Sequence, residues 1–98
     1  MTALLRRLFP APPDTSRLTF IVYTRETCGC CEKALAILKK SQAKHAFNIE
    51  TIDVDSDPTL AAEHGESVPV VALNGKVRFR GVVNPVLLER LLKAESSR

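Results

Sequence analysis

Phe20-Ile21-Val22-Tyr23-Thr24-Arg25-Glu26-Thr27-Cys28-Gly29-Cys30-Cys31 is the stretch on which the reading of this 98-residue chain turns. Its first half, with Leu18 and Thr19 ahead of it, is apolar, β-branched and aromatic. The run is too short for a helix and fits a buried strand. Its second half carries every cysteine of the chain within four residues. Scattered structural cysteines do not cluster in this way, whereas a reactive or metal-binding site does. Three is also an odd number, and too few for a secreted scaffold stapled by disulfides.

Downstream, Ala34, Leu35, Ile37, Leu38 and Ala43 alternate with Lys33, Lys39, Lys40 and Lys44, an amphipathic helix running to about residue 44. Phe47 to Val54 alternates imperfectly and predicts a second strand. Asp57-Pro58 pairs a capping acid with a proline at the first helical position, opening a short helix that ends near Gly65. Val68 to Leu73 and Lys76 to Arg80 read as third and fourth strands. Asn74-Gly75 between them suits a two-residue hairpin, because both positions tolerate positive φ. Asn84-Pro85 repeats the cap, and Val86, Leu87, Leu88, Leu91 and Leu92 give a last helix its apolar face. The order is β-α-β-α-β-β-α, an α/β domain with a four-stranded mixed sheet and three flanking helices.

Cys28 and Cys31 stand where the first strand hands over to the first helix. A step of three on a helix returns a side chain to within about 60° of its starting direction, so these two sulfurs can meet. Cys30 is displaced from Cys28 by about 200° and faces elsewhere. Unpaired N–H groups and the positive end of the helix dipole favour a thiolate at such a position. Cys28 is expected to gain most and to be the most exposed of the three, with Arg25 adding positive potential. In this reading Cys28 attacks a disulfide and Cys31 resolves the mixed disulfide.

These residues are similar to those of the glutaredoxin-like members of the thioredoxin superfamily, from residue 18 to about 95. The likeness rests on the strand from Phe20 to Arg25, on Cys28-Gly29-Cys30-Cys31, on Val68-Pro69 before the third strand and on Gly81 after the fourth. Tyr23-Thr24-Arg25 matches the Tyr-Ser-Lys that glutaredoxins place before their motif. The resemblance implies a thioredoxin-like fold and a thiol–disulfide oxidoreductase acting on protein or glutathione mixed disulfides. It further implies a cis Val68–Pro69 bond beside the active sulfurs, with the Val68 backbone pairing to substrate. Substrate contacts fall by this likeness on Arg25, Thr27, Gly29, Val68, Pro69 and Gly81. Val22 and Thr27 stand where thioredoxins carry a buried Asp and a Trp, which favours the glutaredoxin side. Asn84 stands where glutaredoxins hold the amine of glutathione with an acid, so that handle is incomplete.

The net charge of +3 invites a nucleic-acid reading, but residues 1–17 carry +2 of it and the remaining chain only +1. With no Trp and five Tyr and Phe together, no stacking platform for nucleic acid is evident. No apolar run reaches the ~20 residues that span a bilayer. Residues 1–17, with Pro10, Pro12 and Pro13, are read as a tail and proline-rich linker ahead of a domain over 18–98; a targeting or membrane-touching segment is the rival reading. Lys76, Arg78 and Arg80 recur at period two, predicting a basic stripe on one strand face that discourages edge pairing. His45 and His64 fall in polar segments and are expected to be solvated. Neither lies at ligand spacing from the cysteines, so a closed single-chain zinc site lacks ligands.

The expectation is therefore a cytoplasmic monomer with no tightly bound cofactor and no resident metal. It works with a thiol reductant system, and glutathione is a candidate co-substrate. Cys30 stays open between a bystander, a regulatory or intermolecular thiol and a third metal ligand. The alternative function, a metal or iron–sulfur carrier, uses Cys28, Cys30 and Cys31 together. A non-catalytic interaction module is the third class.

Overall fold

The computed structural model describes residues 15–96. The tail proper, residues 1–14, lies outside the described residues. Thr15, Ser16 and Arg17, counted with the tail by sequence, are fastened to the domain. Thr15 is buried and its hydroxyl donates to the Ala46 carbonyl at 2.9 Å. The Ser16 carbonyl accepts from the Asn48 side chain at 3.2 Å, and the Arg17 guanidinium donates to the Glu95 carbonyl.

The elements follow the expected order. Strand β1 (Thr19–Thr24) leads to helix α1 (Gly29–Gln42), then β2 (Asn48–Asp53), a 3-10 turn (Val54–Ser56) and helix α2 (Pro58–His64). Strands β3 (Val70–Leu73) and β4 (Lys76–Arg80) and helix α3 (Pro85–Ser96) complete the domain. The sheet order is β2-β1-β3-β4, with β1 parallel to β2 and antiparallel to β3, and β3 antiparallel to β4. This is a thioredoxin-like arrangement. No helix among the described residues is long and apolar enough to cross a membrane.

Alternation along the strands divides the sheet into two faces. Phe20 and Val22 of β1 share a face with Leu73 and Val71 of β3, opposite which they pair. Ala34 and Leu38 from α1 and Leu88 and Leu92 from α3 close over that face, and Phe47 meets Phe20 edge-on at 5.0 Å. Burying one such large apolar side chain contributes about 1.5–3 kcal/mol, so this layer holds α1 and its cysteines against β1. On the other face Tyr23 stacks against His64 of α2 at 4.5 Å.

The structure corrects several expectations. Strand β3 begins at Val70 rather than Val68, because proline at 69 has no N–H to give a ladder; the Val68–Pro69 bond is cis. Helix α1 ends at Gln42, two residues early, where Lys44 and His45 both donate backbone N–H groups to the Ser41 carbonyl. The basic stripe on β4 does not form. Val71 pairs with Phe79 but Ala72 pairs with Val77, so Arg78 is the extra residue of a β-bulge. Lys76 opposite Leu73 and Arg80 opposite Val70 therefore project to opposite faces, while Arg78 reaches Glu95 of α3 at 3.4 Å.

Neither histidine is solvated. His64 is only 8 % exposed, with a buried Nδ1 that has no partner. His45 is half-buried, its Nε2 2.7 Å from Glu89.

Candidate active site

Three short connections, all at one end of the sheet, build the site. The first is the turn from β1 to α1. Thr27 adopts φ +57°, a left-handed conformation that a β-branched residue enters only at a cost. Its hydroxyl donates to the Glu26 carbonyl at 2.6 Å. The turn delivers Cys28 in extended conformation (φ −105°, ψ 105°) as the N-cap of α1. The Cys28 sulfur takes the place of the usual capping oxygen and accepts the Cys31 backbone N–H at 3.2 Å. Gly29, the first helical residue, has open space where a side chain would stand.

The three thiols differ in setting, and none is in a disulfide. Cys30 is exposed, Cys28 half-buried and Cys31 only 3 % exposed. The expectation that Cys28 is the most exposed thiol is thereby corrected. As the cap it turns its sulfur in over the helix end, while Cys30 in the first turn points to solvent. Burial pushes the Cys31 thiol up from an ordinary 9.0 to about 11. Its hydrogen bond with Cys28 and the charges of Cys28 and Cys30 act in the same sense, and a backbone hydrogen bond from Arg25 opposes them. Cys28 and Cys31 are thus brought together at one helix end. Among the described residues no three His, Cys, Asp or Glu side chains converge on a point that a metal could occupy.

The second connection carries Val68, half-buried, and Pro69, buried, joined by the cis bond. The third is the turn after β4, where Gly81 (φ +78°) donates its N–H to the Pro69 carbonyl at 2.8 Å. That bond ties the turn to the cis peptide. Asn84 caps α3, its Oδ1 accepting from Val86 and Leu87 N–H at 2.9 and 3.2 Å. Beside it Val82, Val86 and Leu87 are 73, 61 and 49 % exposed, an apolar collar around the turn. A groove of 330 Å³ between α1 and α3, to which Val86 also contributes, includes none of the cysteines.

Arg25 does not reach toward the cysteines with its side chain. Its Nε and Nη2 donate to the two Asp55 oxygens at 3.0 and 3.1 Å, and its Nη1 donates to the Gly65 carbonyl at 3.0 Å. The hydrogen bond to Asp55 and then its charge raise the guanidinium above its ordinary value, and Cys28 adds a smaller push the same way. Gly65 makes this packing possible, because a Cβ there would stand 2.7 Å from Arg25 Nη2. Asp55 and Gly65 were not legible as site residues. The one signal was an acid-rich Asp53-Val-Asp55-Ser-Asp57 run lying 30 residues from the arginine.

The Glutaredoxin-like domain (DUF836) family matches residues 19–94. The chain belongs to that family. Among relatives of this glutaredoxin-like chain is a "Probable Thioredoxin" of Methanothermobacter thermautotrophicus, 35 % identical over 63 residues, spanning 61 % of this chain and 74 % of that one. An uncharacterized protein of Mycobacterium bovis is 35 % identical over 66 residues, 62 % of this chain and 68 % of its own length. Among solved structures, a protein of Nitrosomonas europaea superposes with a TM-score of 0.71 at 24 % identity, covering 83 % of this chain and 98 % of that chain. A mutant thioredoxin from Halobacterium salinarum superposes with a TM-score of 0.61 at 20 % identity, covering 83 % and 76 %. Both structural likenesses speak for the fold alone. The glutaredoxin-like chain is a thioredoxin-superfamily protein, and that likeness points to a thiol oxidoreductase type of function.

Proposed function

We propose that this glutaredoxin-like chain is a dithiol reductase of disulfides, with Cys28 as nucleophile and Cys31 as resolving thiol. The observation that carries the reading is the pairing of a capped, half-buried sulfur with a buried thiol one helical turn behind it. The Cys28 thiolate attacks one sulfur of a substrate disulfide. A new S–S bond forms, and the other sulfur leaves as a thiolate. The negative charge on Cys28 is thereby lost, which removes one of the effects holding the Cys31 proton. Cys31 then gives up that proton and attacks the Cys28 sulfur. The second substrate sulfur leaves and the pair closes as a disulfide. Two electrons and two protons pass to the substrate, and an external dithiol or thiol restores the pair.

In this proposal the Val68 backbone and Pro69 face the substrate sulfur, while Gly29 leaves room above the helix end. Thr27 sets the turn and Gly81 holds the collar to the cis peptide. Cys30, one residue from the pair and facing solvent, takes no part in the exchange. The setting is a cytoplasmic monomer serving a thiol reductant system.

The test replaces each thiol in turn. Cys28→Ser is expected to abolish reduction of a protein disulfide. Cys31→Ser is expected to accumulate a mixed disulfide at Cys28, visible as an added mass. Retained turnover in Cys28→Ser removes the proposal.

A further inference from the structure

We propose that Asp55 is a specificity-determining residue of this site. By clamping Arg25 against the end of α2, it withholds that guanidinium from small acidic thiols of the glutathione class, and so tunes the dithiol to disulfides in apolar polypeptide. The proposal rests on the dithiol reading above and names the substrate class of that same site.

A glutathione moiety brings two carboxylates and one ammonium. Holding it requires an unengaged cation beside the sulfurs and an acid for the ammonium. The cation closest in sequence to Cys28 is Arg25. Both carboxylate oxygens of Asp55 take its Nε and Nη2, and the Gly65 carbonyl takes Nη1. A planar guanidinium held on three donors presents an edge to α2 and must give up those bonds before it turns the same donors to a ligand. Gly65 is shaped to admit it, since any side chain there would collide with Nη2. Arg80, next to the Gly81 turn, stands opposite Val70 on the α2 face of the sheet. On the acid side Asn84 carries no charge, and its Oδ1 is already occupied by two backbone N–H groups of α3.

What the site does offer is apolar. Val82, Val86 and Leu87 form an exposed collar on the turn that Gly81 ties to Pro69. Exposed apolar groups gathered in one place mark a binding surface, and this turn lies at the same end of the sheet as the dithiol. Here they match the apolar side chains that flank a cysteine in a polypeptide. Glutathione has no such side chain to place against them.

The test measures oxidation of the reduced full-length protein by two oxidants: glutathione disulfide, and a disulfide-linked peptide with Leu or Val beside its cysteines. The wild-type chain is expected to prefer the peptide. Asp55→Asn removes the charge and one of the two acceptors that hold Arg25, and is expected to raise the rate constant for glutathione disulfide about fivefold relative to the peptide. Adding Arg25→Gln to that variant should remove the gain. Val82→Asp should lower the peptide rate about tenfold and the glutathione rate far less. Asp55→Ser serves the same purpose if Asp55→Asn fails to fold.

A wild-type preference for glutathione disulfide, an unchanged ratio in the Asp55 variant, or a gain that survives loss of Arg25 each overturns the proposal. A wild-type protein that reduces neither oxidant instead overturns the dithiol reading beneath it.

Discussion

Replacing Cys28 with alanine reads out how the thiol behind it is held. Cys31 stands near 11, against an ordinary 9.0. At pH 8 that leaves about one Cys31 in a thousand as thiolate, compared with roughly one in ten for an unperturbed thiol. Alkylation follows thiolate fraction, so Cys31 should react with iodoacetamide about a hundredfold more slowly than an unperturbed thiol, before its 3 % exposure slows it further. Cys28→Ala removes both the hydrogen bond and the charge that Cys28 contributes, leaving burial and the Arg25 backbone bond in place. The Cys31 midpoint should therefore move down from about 11 toward 9 without reaching it. The assay is labelling from pH 6 to 11 with each cysteine followed by peptide mass. Native Cys31 labelling as fast as Cys30 at pH 8, or a midpoint indifferent to Cys28→Ala, would refute the reasoning.

The same shift has a consequence for stability. Because the folded value is raised, the unfolded chain loses this proton first, and stability falls as pH climbs from about 9 to about 11. The shift corresponds to at most about 3 kcal/mol. Cys31→Ser should flatten that alkaline limb of the melting curve.

Three further perturbations test the frame around the site. Thr27→Gly removes the left-handed penalty at φ +57°, and despite the extra freedom of the unfolded chain it should stabilise the fold by about 0.5–1 kcal/mol in urea unfolding. A loss of stability would show that the threonine hydroxyl matters more than the backbone strain. Gly65→Ala drives a methyl to 2.4 Å from the Ala61 carbonyl oxygen and 2.7 Å from Arg25 Nη2, and should cost about 1–3 kcal/mol by the same measurement. Burial alone would push the Glu89 carboxyl up, but hydrogen bonds from His45 and Ser41 and the charges of His45 and Lys44 outweigh it and hold the group below the usual range. Its contribution is present above the unfolded value of about 4.3 and lost as pH falls through the lower folded value, so Glu89→Gln should reduce the acid dependence of Tm. An unaltered slope would mean that the His45–Glu89 contact carries no stability.

The order of elements was legible because each signal is local. The apolar run of β1, the Asn74-Gly75 turn and the Asp57-Pro58 and Asn84-Pro85 starts each depend on a few neighbouring residues. That Cys28 and Cys31 lie close together was legible for the same reason, as both belong to the start of one helix, Cys28 as its cap and Cys31 in its first turn. What escaped depends on partners far along the chain. The bulge at Arg78 is a mismatch in count between β3 and β4, which no pattern within β4 can reveal. His64 looked solvated beside Glu63 and Glu66, yet it packs on Tyr23 from across the fold. Arg25 was read for its proximity to the cysteines in sequence, whereas its side chain is claimed by Asp55 and Gly65. Thr27 gave no hint of positive φ, because threonine is not a residue that advertises one.

The sulfur that caps α1 also links helix stability to oxidation state. As a thiolate, Cys28 can accept the Cys31 N–H strongly; once tied to another sulfur it becomes a weak, uncharged acceptor. Closing the disulfide therefore withdraws a helix cap, an interaction worth about 1 kcal/mol. A cost borne only by the oxidised form moves the two-electron potential of the pair upward by roughly 20 mV. The first turn of α1 thus acts as a counterweight on the redox equilibrium, pulling the pair toward the form in which its sulfur still holds the helix.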